Sequence, residues 1–263
     1  MTNTEITIAS PNWQVESARL TVFFSRSVSV VNPNWWASTI GSEPESRTAK
    51  PARGEYVEWG NYLNNALTLS VQPGRADWIL SVSQAQFEDM EIKLKTVGPL
   101  ASVAADFETV MNVWLKNCPS IIRLAYGAVL LEPVADQRAG YRRLSQYLHS
   151  VKIDESSSDF FYQINRPRPL QGSKESVTIN RLSRWSVQAA QAVRMAFSLG
   201  SPSVPNPPVL FTQPDSAAHA CRLEMDLSTP ASRENELVPG ELPAIFGELV
   251  SLGSEIAHRG DIP

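Results

Sequence analysis

Hydrophobic residues recur along this chain in two rhythms, one of every second position and one of every third or fourth. Leu20, Val22, Phe24, Val28 and Val30 fall on every second position, and Arg26 is the one break. A period of two marks a strand with one buried face, leaving Thr21, Ser25, Ser27 and Ser29 on a wet face. Leu67, Leu69 and Val71, then Ala76, Trp78, Leu80 and Val82, alternate on either side of Gln72-Pro73-Gly74-Arg75, a Pro-Gly hairpin turn. Ile121 to Leu131 is apolar on both faces, as expected of a central strand. Cys221, Leu223, Met225 and Leu227 alternate with Arg222, Glu224 and Asp226, a strand with one charged face.

The longer rhythm predicts helices. Leu100, Val103, Ala104, Phe107, Val110, Met111, Trp114 and Leu115 form one apolar stripe, with Pro99 at its start and Asn117 and Pro119 at its stop. Asp136 suits the cap of a helix reaching about His149, with Tyr141, Leu144, Tyr147 and Leu148 inward and His149 placed to favour the dipole. Leu242, Ile245, Phe246, Leu249, Leu252 and Ile256 predict a last helix from Leu242 to His258, with Pro243 in its first turn and Gly260 past its end.

Between these lie stretches with neither rhythm. Residues 32–65, rich in Pro and Gly, read as an irregular connection headed by Trp35 and Trp36, which either pin it to the body or fill a gap in the core. Residues 188–197 fit a strand or a helix equally, and 198–218 reads as a Pro-rich exposed loop. The whole predicts an α+β fold, an antiparallel sheet with helices packed on one face. Its elements suggest two related halves, residues 17–119 and 120–263, in one compact unit after a polar segment 1–16.

Composition narrows the classes. With 43% hydrophobic and 19% charged residues the chain is globular, and a net charge of −4 supplies no overall basic field for a nucleic-acid backbone. No run of about 18 apolar residues predicts a membrane span. No export signal is visible, so the expectation is a cytoplasmic protein whose two cysteines stay reduced.

The richest chemistry lies in Asp159 to Val187, read as two strands joined by a polar turn. Asn165-Arg166 and Asn180-Arg181 stand one pair on each strand, with Arg168, Arg184 and Trp185 close by. Guanidinium groups present fixed forks of donors, so these residues could form an open patch for phosphate, carboxylate or a nucleic-acid backbone. Trp185, Tyr162 or Phe160 would then stack on a base. The competing reading pairs the arginines internally with Asp159, Glu175, Glu224 and Asp226. Glu224 and Asp226 share one strand face about 6.5 Å apart. They could hold a metal or work as acid and base, or be tied up in ion pairs. His149, His219 and His258 are scattered, and HExxH, CxxC, GxSxG, GxxxxGK[ST] and GxGxxG are all missing from the sequence. No cofactor is implied, and the balance points away from an enzyme.

The segments NPNWW, PGRADW, LAYGAVLLEPV, YQINRPR and INRLSRWSV, with the stretch from Cys221 to Pro263, resemble motifs of a sporadically distributed family of uncharacterised bacterial proteins. The resemblance implies no activity and no catalytic residues. The scattered distribution of that family suggests mobile or defence loci. The function expected is therefore a non-enzymatic binding or adaptor subunit of a bacterial multi-protein system, antiviral defence being one such setting. It would dock another protein of the same locus through the sheet surface and the segments 32–65 and 198–218, with Trp35 and Trp36 among the candidate binding residues. A nucleic-acid or nucleotide binder using the Arg-rich strands, and a metal-dependent hydrolase at Glu224 and Asp226, are the alternatives.

Overall fold

The computed structural model describes residues 10–26, 34–83, 93–170, 177–190, 193–196, 209–212, 218–233 and 235–262. In chain order the elements are β1 (Gln14–Phe24), α1 (Trp35–Ile40), β2 (Ser46–Lys50), β3 (Glu55–Tyr62), β4 (Asn65–Gln72), β5 (Arg75–Ser81), β6 (Gly98–Pro99) and α2 (Leu100–Leu115). Then come β7 (Ile121–Val134), α3 (Gln137–Tyr147), β8 (Phe161–Asn165), β9 (Arg168–Pro169), β10 (Thr178–Ala190), β11 (Val193–Ala196), β12 (Val209–Thr212), β13 (Ala218–Ser228) and α4 (Leu242–Arg259).

Eleven strands form one antiparallel sheet in the order β2-β3-β4-β5-β1-β7-β13-β10-β8, with β6 on β1 and β9 on β10. The order of connection recurs. From β1 the strands run outward through β5, β4 and β3. From β7 they run outward through β13, β10 and β8. Each series begins on its central strand and leads to a long helix, α2 or α4, and the two series join where β1 pairs with β7.

The period of two decides which face is buried. Leu20, Trp78, Tyr126 and Leu227 lie side by side across β5, β1, β7 and β13, all buried under helices. Phe107 of α2 and Tyr126 of the sheet both meet Phe246 of α4 edge-on, at 6.3 and 6.0 Å between ring centroids. Burying each such side chain contributes roughly 1.5–3 kcal/mol, which is what fixes the helices on this face. Gly253 lets α4 lie close, since a Cβ there would stand 3.0 Å from the Tyr126 ring. The opposite face carries no helix among the described residues. None of the described helices is long and apolar enough to cross a membrane.

Residues 32–65 depart from the expected irregular connection. They hold α1, β2 and β3, and Gly41, Pro51 and Gly54 stand at element ends. Gly41 and Gly54 close α1 and a single 3₁₀ turn at Pro51–Arg53 with φ of 82° and 63°, a region that glycine enters freely. Gly60 sits inside β3 because the Trp36 ring lies on it. Residues 188–190 and 193–196 are extended, in β10 and β11, and β12 interrupts the expected loop at 198–218. The remainder of that loop, and Val28 and Val30 of the first expected strand, lie outside the described residues. Asp136 caps α3 through Ala139 N at 2.7 Å, as expected, but the helix stops at Tyr147, so His149 stands beyond it.

Candidate functional site

Alternation splits the expected arginine patch between two faces. On β10, Ile179, Arg181, Ser183 and Trp185 turn to the helices and are buried, while Asn180, Leu182, Arg184 and Ser186 turn to the open face. Arg166 grips Asp261 with Nε on Oδ1 and with Nη2 on Oδ2 at 2.9 Å. Arg168 donates from Nη1 to Glu255 of α4 at 2.6 Å. Arg181 is 2% exposed, its Nη2 stands 3.9 Å from Glu255, and its Nε and Nη1 have no hydrogen-bond partner. Burial, helped by neighbouring Arg168, holds the Arg181 pKa below the usual arginine value. A cavity of about 10 Å³, on the scale of one water, adjoins Arg181, Arg166, Ser183 and Asp261. Trp185 is fully buried, packed between Trp13 and Tyr147, and cannot stack on a base.

The open donor patch on Arg166, Arg168, Arg181 and Trp185 is thus corrected to a scaffold. The partners are Asp261 and Glu255 rather than Asp159. Glu175, another expected partner, lies outside the described residues. Asp261 also accepts from Tyr162 Oη at 2.7 Å and Ser150 Oγ at 3.3 Å. Its carboxyl is held below the usual range, first by the Arg166 hydrogen bonds. Gly260 makes this possible. Its φ is 77°, and a Cβ there would fall 2.0 Å from the Tyr147 carbonyl oxygen, which accepts from Asp261 N at 3.0 Å.

Trp35 and Trp36 resolve similarly. Trp36 is 1% exposed, lies 5.7 Å from the Trp78 ring and covers Gly60. Trp35 packs on Phe24 and Trp114 at 5.8 and 5.5 Å. Both anchor α1 to the body; Trp36 is sealed in the core, and Trp35 is partly exposed.

On the open face the polar halves of the central strands come together. Phe23 of β1 lies between Arg75 of β5 and Arg123 of β7, whose guanidinium carbons are 5.4 and 5.1 Å from its ring centroid. Such contacts are worth about 0.5–1 kcal/mol each at exposed sites. Arg75 forks onto Asp77 through Nε at 2.7 Å and Nη2 at 2.8 Å, and Thr21 Oγ1 donates to the same carboxylate at 2.6 Å. Arg19 stands over Gly127 and reaches Asp226 at 3.5 Å. Arg123 donates to Ser228 Oγ at 3.1 Å and, among the described residues, has no carboxylate partner. Farther along, Glu224 accepts from Arg184 at 2.7 Å and Arg222 at 2.8 Å, and the Arg222 hydrogen bond above all lowers its pKa. Asn165 Nδ2 donates to Asn180 Oδ1 at 3.1 Å beside them. The alternating charges Arg19, Asp226, Glu224, Arg184 and Arg222 make a lattice of both signs.

Glu224 and Asp226 are therefore corrected as metal candidates: arginines already occupy both carboxylates. Among the described residues no three His, Cys, Asp or Glu side chains are grouped to hold a metal ion. A wide recess of about 480 Å³ opens where β7 leads into α3, beside Glu132, Arg143 and Gln146. Glu132, Arg143 and Gln146 there are bound to one another. Glu132 accepts from Arg143 Nε at 2.9 Å, Arg143 Nη2 at 2.7 Å, Tyr147 Oη at 2.9 Å and Asn12 N at 3.0 Å. Arg143 Nη1 donates to Gln146 at 2.6 Å.

The arginines of the open face escaped the motif search because they sit singly on separate strands. Their signal was the polar half of each alternation, Arg19, Thr21, Arg75 and Asp77 among them. In comparisons with known proteins, no family model matches the chain, and no curated protein matches it.

Proposed function

We propose that the chain is a binding subunit that docks a partner protein, encoded at the same locus, on the open face of its sheet. The observation that carries this reading is the centre of that face. There Phe23 is framed by Arg75 and Arg123, and Arg123 has no carboxylate partner among the described residues. A carboxylate from a partner would complete Arg123, and an apolar side chain beside it would cover Phe23. Charges of both signs on the surrounding lattice suit a protein partner better than a polyanion, because Asp77, Glu224 and Asp226 repel a phosphate backbone. The nucleic-acid alternative also loses Arg166, Arg168 and Arg181, whose side chains lie on the helix face.

The test is reconstitution with the proteins encoded beside it, followed by size-exclusion chromatography. One of them co-elutes with the full chain, and Arg123→Glu abolishes co-elution while lowering the melting temperature by only a few degrees, as the loss of its contacts to Phe23 and Ser228 requires. A complex that survives Arg123→Glu intact removes the open face as the docking surface.

A further inference from the structure

The two ends of the sheet differ in chemistry. At one end β2 presents Ser46–Lys50, exposed at all five residues and guarded by Arg47 and Lys50. Charged residues on an edge strand are a recognised defence against pairing with another chain. At the other end β8 presents Phe161-Tyr162-Gln163-Ile164-Asn165, five residues without a charge. Phe161 is 66% exposed, more than any other large hydrophobic residue among those described.

The pairing pattern shows which backbone groups this edge offers. Arg166 N donates to Arg181 O at 3.2 Å, in the register that pairs Ile164 with Ser183 and Tyr162 with Trp185. Residues two apart on a strand point the same way, so Tyr162 and Ile164 bond inward to β10. Phe161, Gln163 and Asn165 therefore turn their N–H and C=O groups outward, and among the described residues no strand pairs with them. The repeated topology shows what belongs there. In the first series the strand equivalent to β8 is β3, third outward from the central strand, and β2 lies against its outer edge.

We propose that β8 pairs antiparallel with β8 of a second copy of this chain, about a twofold axis at Gln163, making one sheet across two molecules. Such a contact is isologous: Gln163 faces its own counterpart, and Phe161 faces Asn165. The three outward residues on each strand form about six backbone hydrogen bonds, two for each facing pair. No like charges meet in this register, because the strand has none. Asp159 and Pro167 flank it and limit the pairing to this length. The contact runs along the backbone edge of β8, at the end of the sheet and several strands from Phe23 on β1, so a dimer leaves the centre of the open face free.

The experiment is multi-angle light scattering of the full chain over a roughly hundred-fold concentration range, since dimer population follows mass action. The expected mass rises to twice 29.0 kDa. Gln163→Pro removes the outward N–H, together with the side-chain hydrogen bond accepted from Arg184, and leaves the backbone bonds to β10, as proline is tolerated on edge strands. It holds the mass at the monomer value, and Phe161→Lys does the same. Thr48→Lys on the opposite edge leaves the dimer intact. Circular dichroism melts show that the variants remain folded. Hydrogen exchange of the 161–165 amides slows with concentration in the unmodified chain alone. A monomer at every concentration, or a dimer indifferent to both β8 substitutions, overturns the proposal.

Discussion

Replacing Asp261 by Ala separates scaffold from site on the arginine hairpin. Asp261 is 8% exposed and accepts from Arg166, Tyr162 and Ser150. Removing one partner of a buried ion pair costs about 3–5 kcal/mol. The Arg166 side chain is 30% exposed and recovers part of its hydration once released. The expected loss is therefore roughly 2–3 kcal/mol, below the fully buried case. In a chain of this size that lowers the melting temperature by roughly 5–10 °C. Urea denaturation of Asp261→Ala measures it directly, and a double-mutant cycle with Arg166→Met isolates the pair, with an expected coupling above about 1 kcal/mol. A loss under about 0.5 kcal/mol, the range of ordinary surface substitutions, would refute the assignment of Arg166 to the scaffold.

Three further outcomes follow from the same geometry. Gly260→Ala drives a Cβ into the Tyr147 carbonyl and loses roughly 3 kcal/mol or more, seen as a collapse of soluble yield; an unchanged melting temperature would contradict it. Glu132→Ala strands Arg143, whose side chain is 13% exposed, and costs about 3–5 kcal/mol in urea denaturation, part of which Arg143→Met restores. Asp261 and Glu224 both have folded pKa values below the usual carboxyl range. Their stabilisation is complete above about pH 5 and is lost as pH falls from there through the folded values. Melting temperatures from about pH 6 to about pH 3 should fall for the unmodified chain and fall less for Asp261→Asn.

Much of the fold was legible because burial imposes its period on the sequence. The strands around Leu20, Leu67, Trp78, Ile121 and Leu223, and the helices α2 and α4, each carry a clean apolar rhythm. The segment 32–65 was not legible, because its Pro and Gly residues also serve as element ends and as room for Trp36. The arginines of β8–β10 were recognised as unusual, but their partners were not. Asp261 lies 95 residues from Arg166, and Glu255 lies 87 from Arg168. No local pattern reports a contact across that distance. The same limit hid the cluster around Phe23, whose members come from β1, β5 and β7. Alternation placed Arg75 and Asp77 opposite Trp78, and only the strand order brings Arg123 beside them.

The most direct measurement compares two arginine substitutions in one binding experiment with the proteins of the same locus. Calorimetric titration should show that Arg123→Glu, on the open face, removes binding. Arg168→Ala, on the helix face, should lower stability and leave affinity for the folded chain unchanged. Binding lost with Arg168→Ala and retained with Arg123→Glu, or no binding by the unmodified chain to any of these proteins, would contradict the account.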